Sequence, residues 1–536
     1  MSLDGWGVAP PSKGNAIYLA KTPHFDSYVE HYPHTELIAS GESVGLPANE
    51  VGNSEVGHLT MGVGRVLLQS LERINVAIRD ESFFTNQAFL AAIAYAQEKG
   101  SNLHLMGMVG SGNVHSSTRH LLALLDLCQQ KRFSKVALHL FTDGRDSPPQ
   151  EGANYMAQLE QTLREKGVGQ IASVSGRYYA MDRDARWERI QLVYEAITLG
   201  KGQVFASASA AVQAIYQSGK SDEFVLPSVI VPAGGSPVTI GDNDAVIYFN
   251  FRVDRARELT MALTLPDFEH MQTGAFGFGG GAATFARVKC PANLFFVSMT
   301  EYQEGLPVSA VAFPPDKHVQ HSVGELISQA GWRQFHLAES EKERMVTYYF
   351  NGMHSDPFPG EARQIIPSAK VATYDLKPEM SAQGIVSAFK QALKKDLYQF
   401  VMLNLANPDM VAHTGNLGAT MKAVKCTDLA LGELVAETLK HDGLVVVTAD
   451  HGNAEELLTF PTNNFFYTTD KGTINTDHSN NPVPLIIIAN AYRGKAVQLP
   501  KGVMSDLAPT LLYLMGLPKP EEMIGRNLFE SPLVQA

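Results

Sequence analysis

The amino-acid sequence predicts an α/β protein in two domains, on three observations. Short β-branched or apolar runs, each closed by turn residues and followed by a helical pattern, recur at Leu103–Val109, 136–141, 171–174, 245–251, Phe400–Leu405 and 444–447. That alternation is expected of mostly parallel sheets covered by helices. The 536 residues exceed what one hydrophobic core normally supports, so two domains are the default. Finally, the residues able to carry chemistry cluster just after the apolar runs, and in such sheets ligands gather beyond the carboxyl ends of strands.

Composition narrows the class. With 45% hydrophobic and 18% charged residues the chain reads as an ordinary globular protein, neither disordered nor fibrous. A net charge of -12 argues against non-specific nucleic-acid binding, so any anion site must be built locally. Cys128, Cys290 and Cys426 lie far apart, without the spacing of a zinc knuckle or redox motif, which fits a reduced, cytoplasmic setting. Apolar stretches such as 484–489 fall far short of the roughly 20 residues a membrane span requires. The opening MSLDGWG has neither a basic nor an apolar leader region, which predicts no secretory signal. The glycine-rich patch GAFGFGGGAA at 274–283 lacks the Lys-Ser/Thr ending of a phosphate-binding P-loop and is read as a plain loop.

Six residues look like metal ligands. Asp409 and His413, four apart in NPDMVAHTG after an apolar run, fall on one helix face, although a capping Asp and a solvent-facing His have the same spacing. Asp450 and His451 end the strand-like LVVVT run, where a turn can aim both into one crevice. His478 lies in a polar loop before another apolar run, and Asp4 precedes a glycine turn; each alone is unremarkable. Together these form a mixed carboxylate and imidazole set, enough for two ions when joined by Ser54, and better suited to Mn²⁺ or Zn²⁺ than to Mg²⁺.

Ser54, between glycines in GNSEVGH, is the candidate nucleophile. A serine hydroxyl attacks at neutral pH only if a base or metal draws off its proton. The competing assignment is a helix cap. Arginines gather in DGRD (Arg145, beside Asp146), in SGRYYAMDRDAR (Arg177, Arg183) and in NFRVDRAR (Arg252, Arg255). Planar guanidinium groups at strand ends suit phosphate and carboxylate, whereas Arg186 and Arg257 fit surface ion pairs.

These segments, with DGWG, VATYDLKPEMSA, TADHGNAEE and NPVPLI, resemble the cofactor-independent phosphoglycerate mutases of the alkaline phosphatase superfamily, and the likeness runs from residue 4 to 486. It implies an alkaline-phosphatase-like domain at 1–68 and 317–536 with a second α/β domain, 69–316, inserted. It implies two manganese ions, one on Asp409, His413 and His478, the other on Asp4, Ser54, Asp450 and His451. It carries substrate contacts onto His115, Arg145, Asp146, Arg177, Arg183, Arg252, Arg255 and Lys342, with Asp146 as general acid/base. The implied reaction interconverts 3- and 2-phosphoglycerate through a phosphoserine on Ser54, in a cytoplasmic monomer. Another metal-dependent phosphatase or phosphopentomutase of that superfamily would share the metal ligands but not the arginines.

Only Met1, Ser2 and Leu3 precede Asp4, where a ligand-bearing strand is normally longer and buried on both faces. This predicts a shortened form with Asp4 loosely held.

Overall fold

The computed structural model describes residues 1–271, 283–315, 319–395, 397–459 and 472–530. The glycine-rich patch, apart from Ala283, lies outside them, as does the expected domain border at 317. The chain divides into two compact units, Met1–Gln69 with Asp316–Ala536, and Ser70–Pro315.

The first unit is built on an eight-stranded sheet in the order Glu361–Ile366, Gln334–Glu339, Phe400–Leu405, Ser2–Leu3, Val445–Thr448, Val483–Ile488, His34–Ile38 and Gly502–Val503. The first five strands run parallel; Val483–Ile488 is antiparallel to both of its neighbours. Its sequence, VPLIII, is buried throughout, as a strand covered on both faces requires.

Ser2–Leu3 is a strand of two residues wedged between longer ones. Ser2 pairs with Asn404 and Thr448, and Leu3 with Leu405. Asp4 is nonetheless fully buried and firmly held: its N–H donates to the Leu405 carbonyl at 3.1 Å, and its carbonyl accepts from the Asp409 N–H at 3.1 Å. The expectation of a loose Asp4 is therefore corrected. Backbone bonds and side-chain partners fix it where strand length does not. Beside Ser2–Leu3 lies a cavity of about 540 Å³ lined by Phe389, Phe400, Met402, Val445, Leu511 and Met515.

The second unit carries its own eight-stranded sheet, ordered Ala310–Val311, Phe295–Ser298, Ala245–Tyr248, Leu103–Val109, Val136–Thr142, Gln170–Gly176, Ser228–Ile230 and Gln203–Phe205. Only the Gln170–Gly176 pairing with Ser228–Ile230 is antiparallel. Side chains alternate between two cores: Leu103, Leu105 and Val109 enter one, Met106 and Met108 the other. The α/β class read from the sequence is thus observed, and each apolar run named above contains or overlaps a strand, although 249–251 lie beyond Ala245–Tyr248. Among the described residues, no helix is long and apolar enough to cross a membrane.

The cavity beside Ser2–Leu3 makes a stability prediction. Filling part of it with a larger lining side chain should contribute about 0.8 kcal/mol per buried methylene. Val445→Ile should therefore raise the melting temperature in calorimetry. An unchanged transition would show that the cavity does not accept the added methylene.

Candidate metal centre and anion-binding site

In the first unit, four adjacent parallel strands deliver their following residues to one place. Gln334–Glu339 leads to Lys342, Phe400–Leu405 to Asp409, Ser2–Leu3 to Asp4, and Val445–Thr448 to Asp450 and His451. The loop of His478 arrives at the same end because the strand after it is antiparallel. Gly5 has φ of +69°, and a Cβ there would stand 2.8 Å from Asp409 Cα, so the turn after Asp4 needs glycine on both counts.

Ser54 opens the helix Ser54–Val63, but it is not the cap. Asn53 fills that role, its side chain accepting from Val56 N–H. The Ser54 hydroxyl is thereby left to the site: Lys342 Nζ donates to it at 2.7 Å, His451 Nε2 lies 3.0 Å away, and Asp4 Oδ1 lies 3.4 Å away. Lys342 Nζ also donates to Asp4 Oδ1 at 2.6 Å and to Asp409 Oδ2 at 2.7 Å. Lys342, grouped with the substrate contacts by the resemblance, sits here among the carboxylates.

Two triads have ligand atoms within 4.8 Å of one another: Asp4, Asp450 and His451, and Asp409, His451 and His478. His451 stands between them. His413 falls outside these triads but adjoins the second, with Nε2 3.2 Å from Asp409 Oδ1 and 3.2 Å from His478 Nε2.

Three buried carboxylates around one ammonium leave excess negative charge in a dry place. Burial and the Asp450 charge push the Asp4 carboxyl well above its ordinary range. Burial opposes ionisation of Asp409 and Asp450 too, but Lys342 and the Asp409 hydrogen bond to His413 prevail at the first, and the charges of His451 and His58 at the second, so both are held low. Burial lowers His451 to about 4, leaving it neutral, whereas the hydrogen bond to Asp409 raises His413. Asp450 Oδ2 is buried without a hydrogen-bond partner among the described residues. Oxygen and imidazole donors with uncompensated charge are what divalent cations require, and the residues fit them.

Sequence reasoning missed the residues that brace this set. Asn404 donates to Asp4 Oδ2 at 2.6 Å and meets His58 Nε2 at 3.1 Å, while His58 Nδ1 lies 3.3 Å from Asp450 Oδ2. Asn453 donates to Asp409 Oδ1 at 2.8 Å. His58, one helical turn after Ser54 in GNSEVGH, was discoverable from that spacing. Asn404, inside an apolar run, gave no signal.

The second unit gathers the arginine segments at its own strand ends. His115 follows Leu103–Val109, Arg145 and Asp146 follow Val136–Thr142, Arg177 follows Gln170–Gly176, and Arg252 and Arg255 follow Ala245–Tyr248. Arg177 is buried and committed internally, donating to Asp143 at 2.6 Å and Asp146 at 2.5 Å, with His115 Nε2 at 3.0 Å. Burial resists ionisation of Asp146, but Arg177 outweighs it and keeps the carboxyl below its ordinary range. Burial, aided by Arg177, lowers His115 to about 4. Arg183 and Arg252 share Asp254, at 2.9 and 3.4 Å. The side chains of Arg145, Arg183 and Arg252 remain 57%, 47% and 51% exposed, open to an anion from solvent. Arg255 instead donates to the Met181 carbonyl at 2.9 Å. Asp143 and Asp254 were not anticipated. Asp143 accepts the N–H groups of Arg145 and Asp146, an Asx turn that the DGRD pattern could have suggested.

Fold and site together define an α/β protein of the sulfatase and alkaline phosphatase class. The sulfatase family model matches residues 291–517, and the model described as the BPG-independent PGAM N-terminus matches 74–304. The chain is 48% identical to the 2,3-bisphosphoglycerate-independent phosphoglycerate mutase of Thermomicrobium roseum, over 99% of this chain and 98% of that one. It is also 48% identical to the enzyme of the same name from Chloroflexus aurantiacus, over 98% and 97%. Among solved structures, the phosphoglycerate mutase of Leishmania mexicana, studied at low cobalt concentration, superposes with a TM-score of 0.63 at 29% identity, covering 98% of this chain and 96% of that one. The chain belongs to the 2,3-bisphosphoglycerate-independent phosphoglycerate mutase family.

The carboxylate cluster predicts the effect of removing its ammonium. Taking one partner from a buried ion pair typically costs about 3–5 kcal/mol. Lys342→Met should therefore lower the melting temperature clearly in chelator, and a divalent ion should recover part of the loss. Equal transitions for the two proteins in chelator would show that Lys342 does not balance these charges.

Proposed function

We propose that this chain is a phosphoglycerate mutase that passes the phosphoryl group of 3-phosphoglycerate to Ser54 and returns it to the neighbouring hydroxyl as 2-phosphoglycerate. The observation that carries this reading is the placing of Ser54 Oγ, 2.7 Å from Lys342 and 3.0 Å from His451 among buried carboxylates, in a chain that also gathers arginines at a second site. Two divalent ions, on Asp409, His413 and His478 and on Asp4, Ser54, Asp450 and His451, would draw off the serine proton and neutralise the phosphoryl oxygens. The imidazole content favours Mn²⁺.

The protein's own groups have distinct tasks. Ser54 Oγ forms the bond to phosphorus while the bond to the glycerate oxygen breaks, and Lys342 stabilises the charge between them. The proton given up by Ser54 passes to the glycerate oxygen as it departs, and in the return step Asp146, kept ionised by Arg177, accepts the proton of the attacking glycerate hydroxyl, which goes back to Ser54 Oγ as its bond to phosphorus breaks. Arg145, Arg183, Arg252 and Arg255, with His115, hold the glycerate through its carboxylate and phosphate. The same reading makes the enzyme a cytoplasmic monomer. Sedimentation at working concentration tests the oligomeric state.

The test of function is an enolase-coupled assay with 3-phosphoglycerate and no 2,3-bisphosphoglycerate. The wild type should turn over, and Ser54→Ala should fall below a few per cent while melting normally. Substantial activity in that variant would remove Ser54 as nucleophile.

Metal affinity should also depend on pH with a definite sign. A raised His413 keeps its proton to a higher pH than a free imidazole, so proton competition begins above the ordinary value of 6.5. Mn²⁺ titrations should show affinity already falling as pH drops toward that value. A flat affinity on both sides of it would contradict the assignment of His413.

A further inference from the structure

Glu455 has no part in the chemistry described above, yet it is almost wholly buried and accepts four hydrogen bonds from three separate loops. Its Oε2 accepts from the N–H groups of Gly7 and Asn453, both at 2.9 Å. Its Oε1 accepts from Ser479 Oγ in a very short bond and from Asn481 Nδ2 at 3.1 Å. Each donor stands close in sequence to a candidate ligand: Gly7 to Asp4, Asn453 to Asp450 and His451, Ser479 to His478. Asn453 extends the connection to the fourth loop by donating to Asp409 Oδ1 at 2.8 Å. The loops are also tied directly, since Ser479 N–H donates to the Gly452 carbonyl at 3.0 Å.

The space around this carboxylate is reserved for it. A Cβ on Gly7 would stand 2.2 Å from Glu455 Cδ, and one on Gly452 would stand 2.4 Å from Oε1 and 2.3 Å from Ser479 Oγ. Both glycines therefore give up a side chain to let the backbone close on Glu455. Its Oε atoms have no direct bond to any of the seven candidate metal ligands. Such a group acts on a metal through the loops it fixes.

We infer that Glu455 is a positioning residue of the metal centre, a single acceptor that locks the loops of Asp4, Asp450, His451 and His478 at coordinating distance. The inference rests on the two-metal reading above. Glu455→Gln keeps the shape but turns one acceptor into a donor facing donors, so bonds on one side of the hub are lost. Residues that orient metal ligands typically cost about 10- to 100-fold in metal affinity when changed. Calorimetric Mn²⁺ titration of metal-free wild type and Glu455→Gln, each below its own melting temperature, should show a loss in that range. Activity should return when the variant is saturated with Mn²⁺. Wild-type affinity in the folded variant would overturn the positioning role while leaving the two-metal reading intact. Absence of Mn²⁺ binding by the wild type would overturn both. Should Glu455→Gln fail to fold, Ser479→Ala, which removes only the short bond, must still weaken Mn²⁺ binding; unchanged affinity there would equally overturn the proposal.

Discussion

The mutual repulsion of Asp4, Asp409 and Asp450 is the constraint on which the first unit depends. All three are essentially buried, and Lys342 is the ammonium that bonds two of them. Two unit charges about 4 Å apart interact by roughly 4 kcal/mol even at an effective dielectric of about 20. A fold meets such a cost only if it holds the groups rigidly and supplies counter-charge. Rigidity comes from the four adjacent parallel strands whose ends carry the cluster. Counter-charge comes from Lys342, and a cation held by the carboxylates with the neutral imidazoles would add more. The braces from Asn404 and Asn453 then follow, because a carboxylate in a dry site needs its oxygens satisfied.

The second unit solves the opposite problem. Its arginines divide by burial, and burial divides their roles. Arg177, sealed in and doubly bonded to Asp143 and Asp146, is spent on shaping the DGRD loop and on keeping Asp146 ionised. Arg145, Arg183 and Arg252 keep exposed heads. Asp254 bonds to Arg183 and lies within ion-pair distance of Arg252, so it orients guanidinium groups that would otherwise repel one another.

Much of this was legible in the sequence because the signals are local. Apolar runs mark strands by burial alone, and the ligands announce themselves by following those runs. What local pattern cannot supply is which distant loops meet. Asn404 bonds to Asp4 across 400 positions and Glu455 to Gly7 across 448, and neither pairing leaves a trace in spacing. The competing assignment of Ser54 as a helix cap could not be settled locally for a related reason: Asn53 and Ser54 are both good caps, and only the observed bond to Val56 decides between them. The short N-terminal strand is a poor guide because strand length does not measure how firmly Asp4 is anchored. Asp4 is held instead through Leu405, Asp409, Asn404 and Lys342, none of which a strand-length argument counts.

On the proposed reaction, the hardest requirement is that a phosphoserine at Ser54 yield to a glycerate hydroxyl and not to water. Attacking groups differ little in intrinsic reactivity, so positioning must decide. A well-oriented neighbour reaches effective molarities of about 10⁵–10⁸ M, far above any free nucleophile. Such an advantage exists only while the glycerate is held, and a single ion pair to its carboxylate would let it pivot or depart. Several guanidinium groups with bidentate geometry restrain rotation as well as translation. The glycerate must still turn once to present its other oxygen. Half-exposed arginines oriented by the single carboxylate of Asp254 would permit that turn, whereas a buried set as rigid as Arg177 with its two aspartates would forbid it. On the proposed reaction, that contrast would serve a mutase, which must turn its substrate, where a simple phosphatase need not.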